Sequence, residues 1–338
     1  MNASSPHTDS HEILVIGEAL IDIVATEQGS IAHPGGSPAN VAFGLGRLGV
    51  DAGLLTALGD DEFGAKIQAH LGTANVKLLP GCLNLERTAS ATAVLAADGS
   101  ARYEFDITWD LAPHELDPMP KIVHTGSIAT FLEPGAEAVA SLLAQAKGQA
   151  LLTYDPNIRP ALVGEHGKAL ETFKRMAALC DVVKLSDEDA QWLYPQLELE
   201  QVSEAILELG PILVVLTLGA DGALLATRSD QVRIKAVRSE VADTIGAGDS
   251  FMSSLLHGLL AHGSAELSTA ELEHLGRRAV AGGALAVRRS GAMPPTLEEL
   301  TALLEEQHLA ASYLGQPRRP PRSAGSRWHR GSIRRCGR

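Results

Sequence analysis

A layered α/β fold on a mostly parallel central sheet is what this sequence predicts, and three observations carry the expectation. Short apolar runs bounded by turn residues recur along the chain with helical stretches between them. Polar and acidic residues suited to chemistry follow directly after those runs, and one segment reads as an antiparallel hairpin set into the series. Such alternation marks βαβ units, in which helices cover both faces of a parallel sheet.

In order, the runs are Ile13–Ile16, Gly53–Leu58, Ile122–Val123, Ala150–Tyr154, Val182–Val183 and Ile212–Leu216. Behind them come Thr125-Gly126, Asp155-Pro156-Asn157, Lys184 with Ser186, and Thr217-Leu218-Gly219. Ligands of open α/β sheets bind outside the carboxyl ends of the strands, so these residues are expected to line one crevice. Each alone also reads as an ordinary strand-to-helix turn; their recurrence on one edge favours a site. Thr92–Ala96 and Arg102–Phe105 flank Asp98-Gly99, a hairpin turn signal, and a hairpin inserted in a parallel frame reads as a flap or small second sheet.

The chain has 338 residues, of which 45% are hydrophobic and 20% charged, a globular composition with ample material for a core. No apolar stretch reaches the roughly 18 residues that cross a bilayer, and the opening MNASSPHTDSHE lacks a basic segment followed by an apolar one, so neither a membrane span nor a secretory signal is expected. Residues 316–338 carry eight arginines and no acid, which leaves 20 basic against 41 acidic residues, net −21, in residues 1–315. That folded part should repel nucleic-acid backbone. The Pro, Gly and Ser content of the Arg-rich tail favours plain disorder over a polyanion-binding arm. Three scattered cysteines, Cys82, Cys180 and Cys336, fit neither a disulfide framework nor a zinc site, and a reducing cytoplasm is the economical inference.

The most informative segment is ADTIGAGDSF, residues 242–251, followed by Leu255, Leu256, Leu259 and Leu260 at helical spacing. Small residues running into a helix leave backbone N–H groups unpaired at the positive end of the dipole, an anion cradle. Asp249, in the first turn, is explained tamely as an acid that favours the dipole. An acid beside a phosphate cradle is costly unless it has work to do, and the natural work is accepting a proton from an attacking hydroxyl.

Upstream, Gly35-Gly36-Ser37-Pro38-Ala39-Asn40 sets a tight turn before a second helix, with Ser37 as a cap and Pro38 suited to the first turn. Asn40 offers donor and acceptor to a polyol hydroxyl or, equally, to local backbone. Asp22, on the extension of the first strand, is an acid in an apolar setting that needs partners. There is no GxxxxGK[ST], and GxSxG fails at Met252, so neither a P-loop nor a nucleophile elbow is present. Gly44–Gly49 matches GxGxxG but falls inside the expected helix, where Val41, Leu45 and Leu48 make a stripe; the glycines there read as close packing.

The pair GGSPANVAFGLGRLG and DTIGAGDSF resembles the two signature regions of the ribokinase-like, PfkB-type carbohydrate kinases, with similarity from about residue 12 to 305. Within that family GEALIDIV, YDPNIRP and TLGADGA are most similar to fructokinase-type members. The resemblance implies a three-layer α/β/α domain over residues 12–310 with a small β-sheet lid, the hairpin at about 90–108. It implies ATP-dependent phosphorylation of a sugar hydroxyl, most simply fructose to fructose 6-phosphate. Asp249 would be the general base, with Gly246, Ala247 and Gly248 forming the anion hole. Asp22, Gly36 and Asn40 would hold the sugar, with Arg102 and Arg159 as contacts to sugar or phosphate. Lys184, Thr217, Gly219, Gly222, Gly246 and Gly248 would line the nucleotide. Asp243 and Thr244, with Ser290-Gly291-Ala292, correspond to a region that often binds a monovalent cation such as K⁺.

Two departures from the family pattern stand out. The Asn-x-x-Glu motif tied to Mg²⁺ through water appears here as Ser186-Asp187-Glu188-Asp189, leaving Ser186 and Asp189 as shorter ligands. Val280 stands where many relatives place a polar residue near adenine. Relatives often pair through the lid, which implies a homodimer. Three other readings remain beside fructokinase: a kinase of the same family acting on ribose, 2-keto-3-deoxygluconate or a nucleoside, a catalytically idle sugar sensor, and a nicotinamide-dependent oxidoreductase using Gly44–Gly49.

Overall fold

The strands that build the centre of the protein are buried on both faces, and their side chains divide between two cores. In the computed structural model, which describes residues 11–26, 29–95, 101–262 and 267–314, nine strands form one sheet. From one edge they are Gln231–Ile234, Ala223–Ala226, Leu213–Thr217, Val182–Ser186, Leu151–Asp155, Ile122–Gly126, Ile13–Ile16, Ala52–Leu55 and Lys77–Leu78. The seven from Leu213–Thr217 to Lys77–Leu78 run parallel, and the first two are antiparallel additions at the edge.

Period-two alternation sorts the layers. Ile13, Val15, Leu54, Val182 and Val215 point to the face covered by helices Ser37–Arg47, Glu62–Gly72, Ala247–His262 and Thr269–Ala286. Leu14, Ile16, Val183, Val214 and Leu216 point to the opposite face, under helices Gly135–Ala146, His166–Leu179, Asp187–Leu193 and Leu199–Glu208. The result is the expected three-layer α/β/α fold. Among the described residues no helix is long and apolar enough to cross a membrane. Cys82 and Cys180 are free and buried.

A separate four-stranded sheet has the order Gly29–Gly35, Leu20–Thr26, Ser90–Leu95, Ala101–Asp106. Ser90–Leu95 and Ala101–Asp106 form the antiparallel pair, while the turn at Asp98-Gly99 lies outside the described residues, as does the tail at 316–338. The hairpin is only half of this small sheet. Asp22 does not sit on an extension of the first strand. The chain leaves the central sheet after Ile16, and Leu20–Thr26 pairs instead with Gly29–Gly35 and Ser90–Leu95. The break is local: Gly17 lies against Pro38 so closely that a Cβ there would collide with the proline ring. The expected run Gly53–Leu58 is also divided, because Leu58–Gly59 pairs with Leu83–Leu85 in a sheet of its own.

Candidate functional site

Parallel register brings the strand ends flush, with Gly126 opposite Asp155 and Ser186 opposite Thr217. Above this edge stands the N-terminus of helix Ala247–His262. The Ser250 amide donates to Gly246 O at 2.8 Å and the Ala247 amide to Thr244 O at 3.2 Å. The Gly248 and Asp249 amides meet no acceptor among the described residues, and Gly248 is exposed. Gly246 adopts φ 73°, the left-handed region, and a Cβ on it would lie 2.7 Å from that of Ala292. Glycine therefore lets the loop close on residues 291–292.

Asp249 is held by the other motif across a separation of more than 200 residues. Its Oδ1 accepts from Ser37 Oγ at 2.6 Å and its Oδ2 from Asn40 Nδ2 at 2.9 Å. Ser37 is not the helix cap expected of it: Gly36, at φ 96°, occupies that position without a side-chain bond, and the serine hydroxyl is free to serve the carboxylate. Burial raises the pKa of Asp249, against the lowering pull of Ser37, Asn40, Lys184 and Arg159. A carboxylate whose proton affinity is raised by burial and which two donors hold in place suits proton acceptance.

Beneath the helix terminus, Lys184 Nζ contacts Asp155 Oδ2 at 2.8 Å, the two side chains being 5% and 2% exposed. Burial opposes the lysine charge, but Asp155, Asp189 and Asp249 outweigh it and raise the Lys184 pKa. A Cβ on Gly248 would come within 3.4 Å of Lys184 Nζ, so the ammonium lies close under the glycine-rich turn. Asp155 Oδ1 is buried without a hydrogen-bond partner. Asp155 lines the crevice as its place after a strand predicts, and the structure adds its pairing with Lys184 and the bond from Ser37 to Asp249, neither of which the sequence pattern specifies.

Asp22 faces the crevice from the small sheet. A Cβ on Gly35 would overlap its carboxylate, and burial raises its pKa while His33 and Arg159 pull it down. Arg159 caps the short helix Pro160–Val163, bonds Ile158 O at 3.1 Å, and is exposed. Arg102 falls on Ala101–Asp106, and its side chain lies outside the described residues. Thr217 ends its strand, followed by the tight turn Gly219–Asp221 and by Gly222 at φ 100°, where any Cβ would strike the Ile234 carbonyl oxygen. Asp243 accepts the Ile245 amide at 3.0 Å and the Gly291 amide at 2.9 Å, which lower its pKa and join residues 243–245 to the 290–292 loop beside Thr244. Val280 is buried in the core between the sheet and its helices.

Ser186 and Asp189 take part in a capping box. Ser186 Oγ accepts the Asp189 amide at 3.0 Å, while Asp189 Oδ2 accepts the Ser186 amide at 3.2 Å and Oδ1 the Ile158 amide at 2.9 Å. Both carboxylate oxygens already serve the backbone. Among the described residues no group of three His, Cys, Asp or Glu side chains is placed to hold a metal by itself. Gly44–Gly49 does not form a strand-to-helix turn: Gly44 and Gly46 sit within helix Ser37–Arg47, against Ser253 and Ala74, which removes the geometric basis of a dinucleotide site.

Known proteins match this arrangement over most of its length. The family described as pfkB family carbohydrate kinase matches residues 10–300. A fructokinase of Rhizobium leguminosarum bv. trifolii is 34% identical over 261 residues, covering 73% of this chain and 79% of the relative. A double mutant of Vibrio cholerae O395 fructokinase, solved with fructose, ADP and potassium ion, superposes with TM-score 0.73 at 29% identity, covering 88% of this chain and all of that one. Aminoimidazole riboside kinase from Salmonella enterica, solved with its riboside and an ATP analogue, gives 0.73 at 27% identity over 86% and 99% of the two chains. The chain belongs to the pfkB family of carbohydrate kinases and is a sugar kinase.

Proposed function

We propose that this sugar kinase is a fructokinase, transferring the γ-phosphoryl group of ATP to a primary hydroxyl of fructose. The observation that carries the reading is the Asp249 carboxylate, clamped by Ser37 and Asn40 next to the unpaired amides of Gly248 and Asp249. Proton acceptor and anion donors thus share one helix turn. The fructokinase relatives, one of them solved with fructose, support the choice of sugar.

The residues present fit a nucleotide and its metal. The amides at 248–249 and the Lys184 ammonium offer positive charge where phosphate would lie. Asp155 Oδ1, a buried carboxylate oxygen without a partner, suits a magnesium-bound water better than Ser186 or Asp189, whose oxygens accept backbone amides. Bound Mg²⁺ supplies charge neutralisation for the phosphates. Asp243, Thr244 and the 290–292 loop are the place for a monovalent cation.

In this reading Asp22, Gly36 and Asn40 orient the sugar, and Asp249 takes the proton of the attacking hydroxyl. Gly246, Ala247 and Gly248 cradle the transferring group, and Thr217, Gly219 and Gly222 shape the wall against the nucleotide. Arg159 adds positive charge near Asp22 and Asp249. Closure of the small sheet excludes water and limits idle hydrolysis.

The test is sugar-dependent ADP release with Mg²⁺ and ATP across fructose, ribose, 2-keto-3-deoxygluconate and nucleosides. The highest kcat/KM is expected with fructose. A preference for another acceptor moves the substrate within the family, and release that no acceptor stimulates supports a sensor instead.

A further inference from the structure

Glu18 is 3% exposed and has no part in the reaction described above. It belongs to the crossover Gly17–Ala19 between the central strand Ile13–Ile16 and the small-sheet strand Leu20–Thr26. That crossover is pressed between two turns. On one side the Glu18 carbonyl oxygen would lie 2.7 Å from a Cβ on Gly36, the residue before Ser37, and Gly17 closes on Pro38. On the other, Glu18 Oε2 accepts the Ala129 amide at 3.1 Å and the carboxyl also bonds the Ser127 side chain. Ser127 has φ 54°, a left-handed conformation that a non-glycine residue keeps only when its surroundings hold it. One buried side chain thus fixes a strained turn at the strand edge and, through its own backbone, abuts the turn that presents Ser37 and Asn40 to Asp249.

The charge balance is unequal. Asp249 has Ser37, Asn40, Lys184 and Arg159 to favour its anion. Glu18 has neutral donors, and the ionisable group acting on it is Asp249, whose negative charge disfavours a second one. Helix Ser37–Arg47 faces this region with Ser37 and Asn40, and the turn Ser127–Thr130 with Ser127 and the Ala129 amide, none of which is ionisable. Two carboxyls in one poorly hydrated region cannot both ionise cheaply, and the proton goes to the one without cations.

We propose that Glu18 is a positioning residue of the sugar site, a neutral acid that ties the Ser127–Thr130 turn to the Gly36–Asn40 turn and leaves the negative charge between them to Asp249. The proposal rests on the kinase reading above. Burial, with Asp249 adding to it and the Ser127 and Ala129 bonds opposing, pushes the Glu18 pKa up to about 8. Loss of the proton above that value places a second anion beside Asp249 and the incoming phosphate, so kcat falls on the alkaline side. The folded protein also holds a proton that the unfolded chain releases near the ordinary glutamate value. The associated stability is complete below that value and is lost as pH rises toward 8.

Wild type, Glu18→Gln and Glu18→Ala are compared in pH–rate profiles with the best acceptor and in Tm between pH 5 and 9. In Glu18→Gln the alkaline fall of kcat should disappear, and its Tm relative to wild type should climb steadily from pH 5 to pH 8. In Glu18→Ala the sugar KM should rise about tenfold while the ATP KM holds. An active wild type whose alkaline limb and Tm slope persist unchanged in Glu18→Gln overturns the inference alone. A wild type inert on every acceptor overturns the kinase reading and the positioning role with it, and the Tm comparison then still decides whether Glu18 is a neutral acid.

Discussion

The two walls of the crevice hold their polar groups in opposite ways. On the wall of Gly36, Ser37, Asn40 and Asp249, side chains from distant segments bond one another, and the carboxylate has two donors below 3 Å. On the wall of Gly219, Gly222 and Gly246, side chains are nearly absent, and positive φ values do the shaping. A wall of side chains can tune a pKa, because each donor changes the charge it touches. A wall of glycine backbone tunes shape, because any Cβ would fill the space. Substitutions on the first wall should therefore act on kcat and pH dependence, and those on the second on nucleotide KM and stability.

The largest effect belongs to the centre of the first wall. Asp249→Asn keeps the shape and removes the proton acceptor, and kcat should drop by about 10²–10⁴-fold with a much smaller change in ATP binding. Single-turnover kinetics beside nucleotide titration measure both. Near-full turnover would take the base role from Asp249.

Gly222→Ala probes the other wall. Its φ of 100° and the Ile234 carbonyl in the path of a Cβ leave no relaxed position for alanine. The strain should lower stability by about 1–3 kcal/mol and raise the ATP KM while the sugar KM stays near its original value. A change confined to the sugar KM would contradict the division of the walls.

Legibility followed the range of the interactions. The central strands were readable because both faces of each are buried, so the apolar runs are continuous, from Ile13–Ile16 to Leu213–Thr217. Gly29–Gly35 escaped notice because it is mostly exposed and carries Pro34, which reads as loop. The glycine-rich segment at 242–251 announced an anion site because backbone geometry is encoded locally. Ser37 as a partner of Asp249 was not legible: the bond spans 212 residues, and the nearer explanation, capping, was available. Glu18 was hidden for the same reason, since what makes it unusual arrives from Ala129, 111 residues away. The resemblance to the family's Asn-x-x-Glu motif implies a metal role for Ser186 and Asp189, whereas their part in a capping box rests on side-chain geometry that the motif does not specify.

Ser37→Ala tests the side-chain wall more gently than loss of the carboxylate. Its hydroxyl favours the Asp249 anion, whose pKa burial has already raised. Removing the bond raises it further, so the acid limb of kcat should move to higher pH, with a fall of about three- to tenfold near neutrality. Asn40 remains to hold the other oxygen, which keeps the loss below that of Asp249→Asn. An acid limb that stays in place would mean that the base titrating in the profile is another group.

The smallest effect should come from Ser186→Ala, which lies outside both walls. The hydroxyl accepts the Asp189 amide in the capping box, and loss of such a cap costs about 0.5–2 kcal/mol. Thermal unfolding should register that loss while the Mg²⁺ dependence of kcat is unchanged. If Ser186 instead holds a metal-bound water, the concentration of Mg²⁺ giving half-maximal rate will rise. The same readout applied to Asp155→Asn should move in that direction, because the carboxylate oxygen without a partner is on Asp155 and the oxygens of Asp189 are occupied by backbone amides.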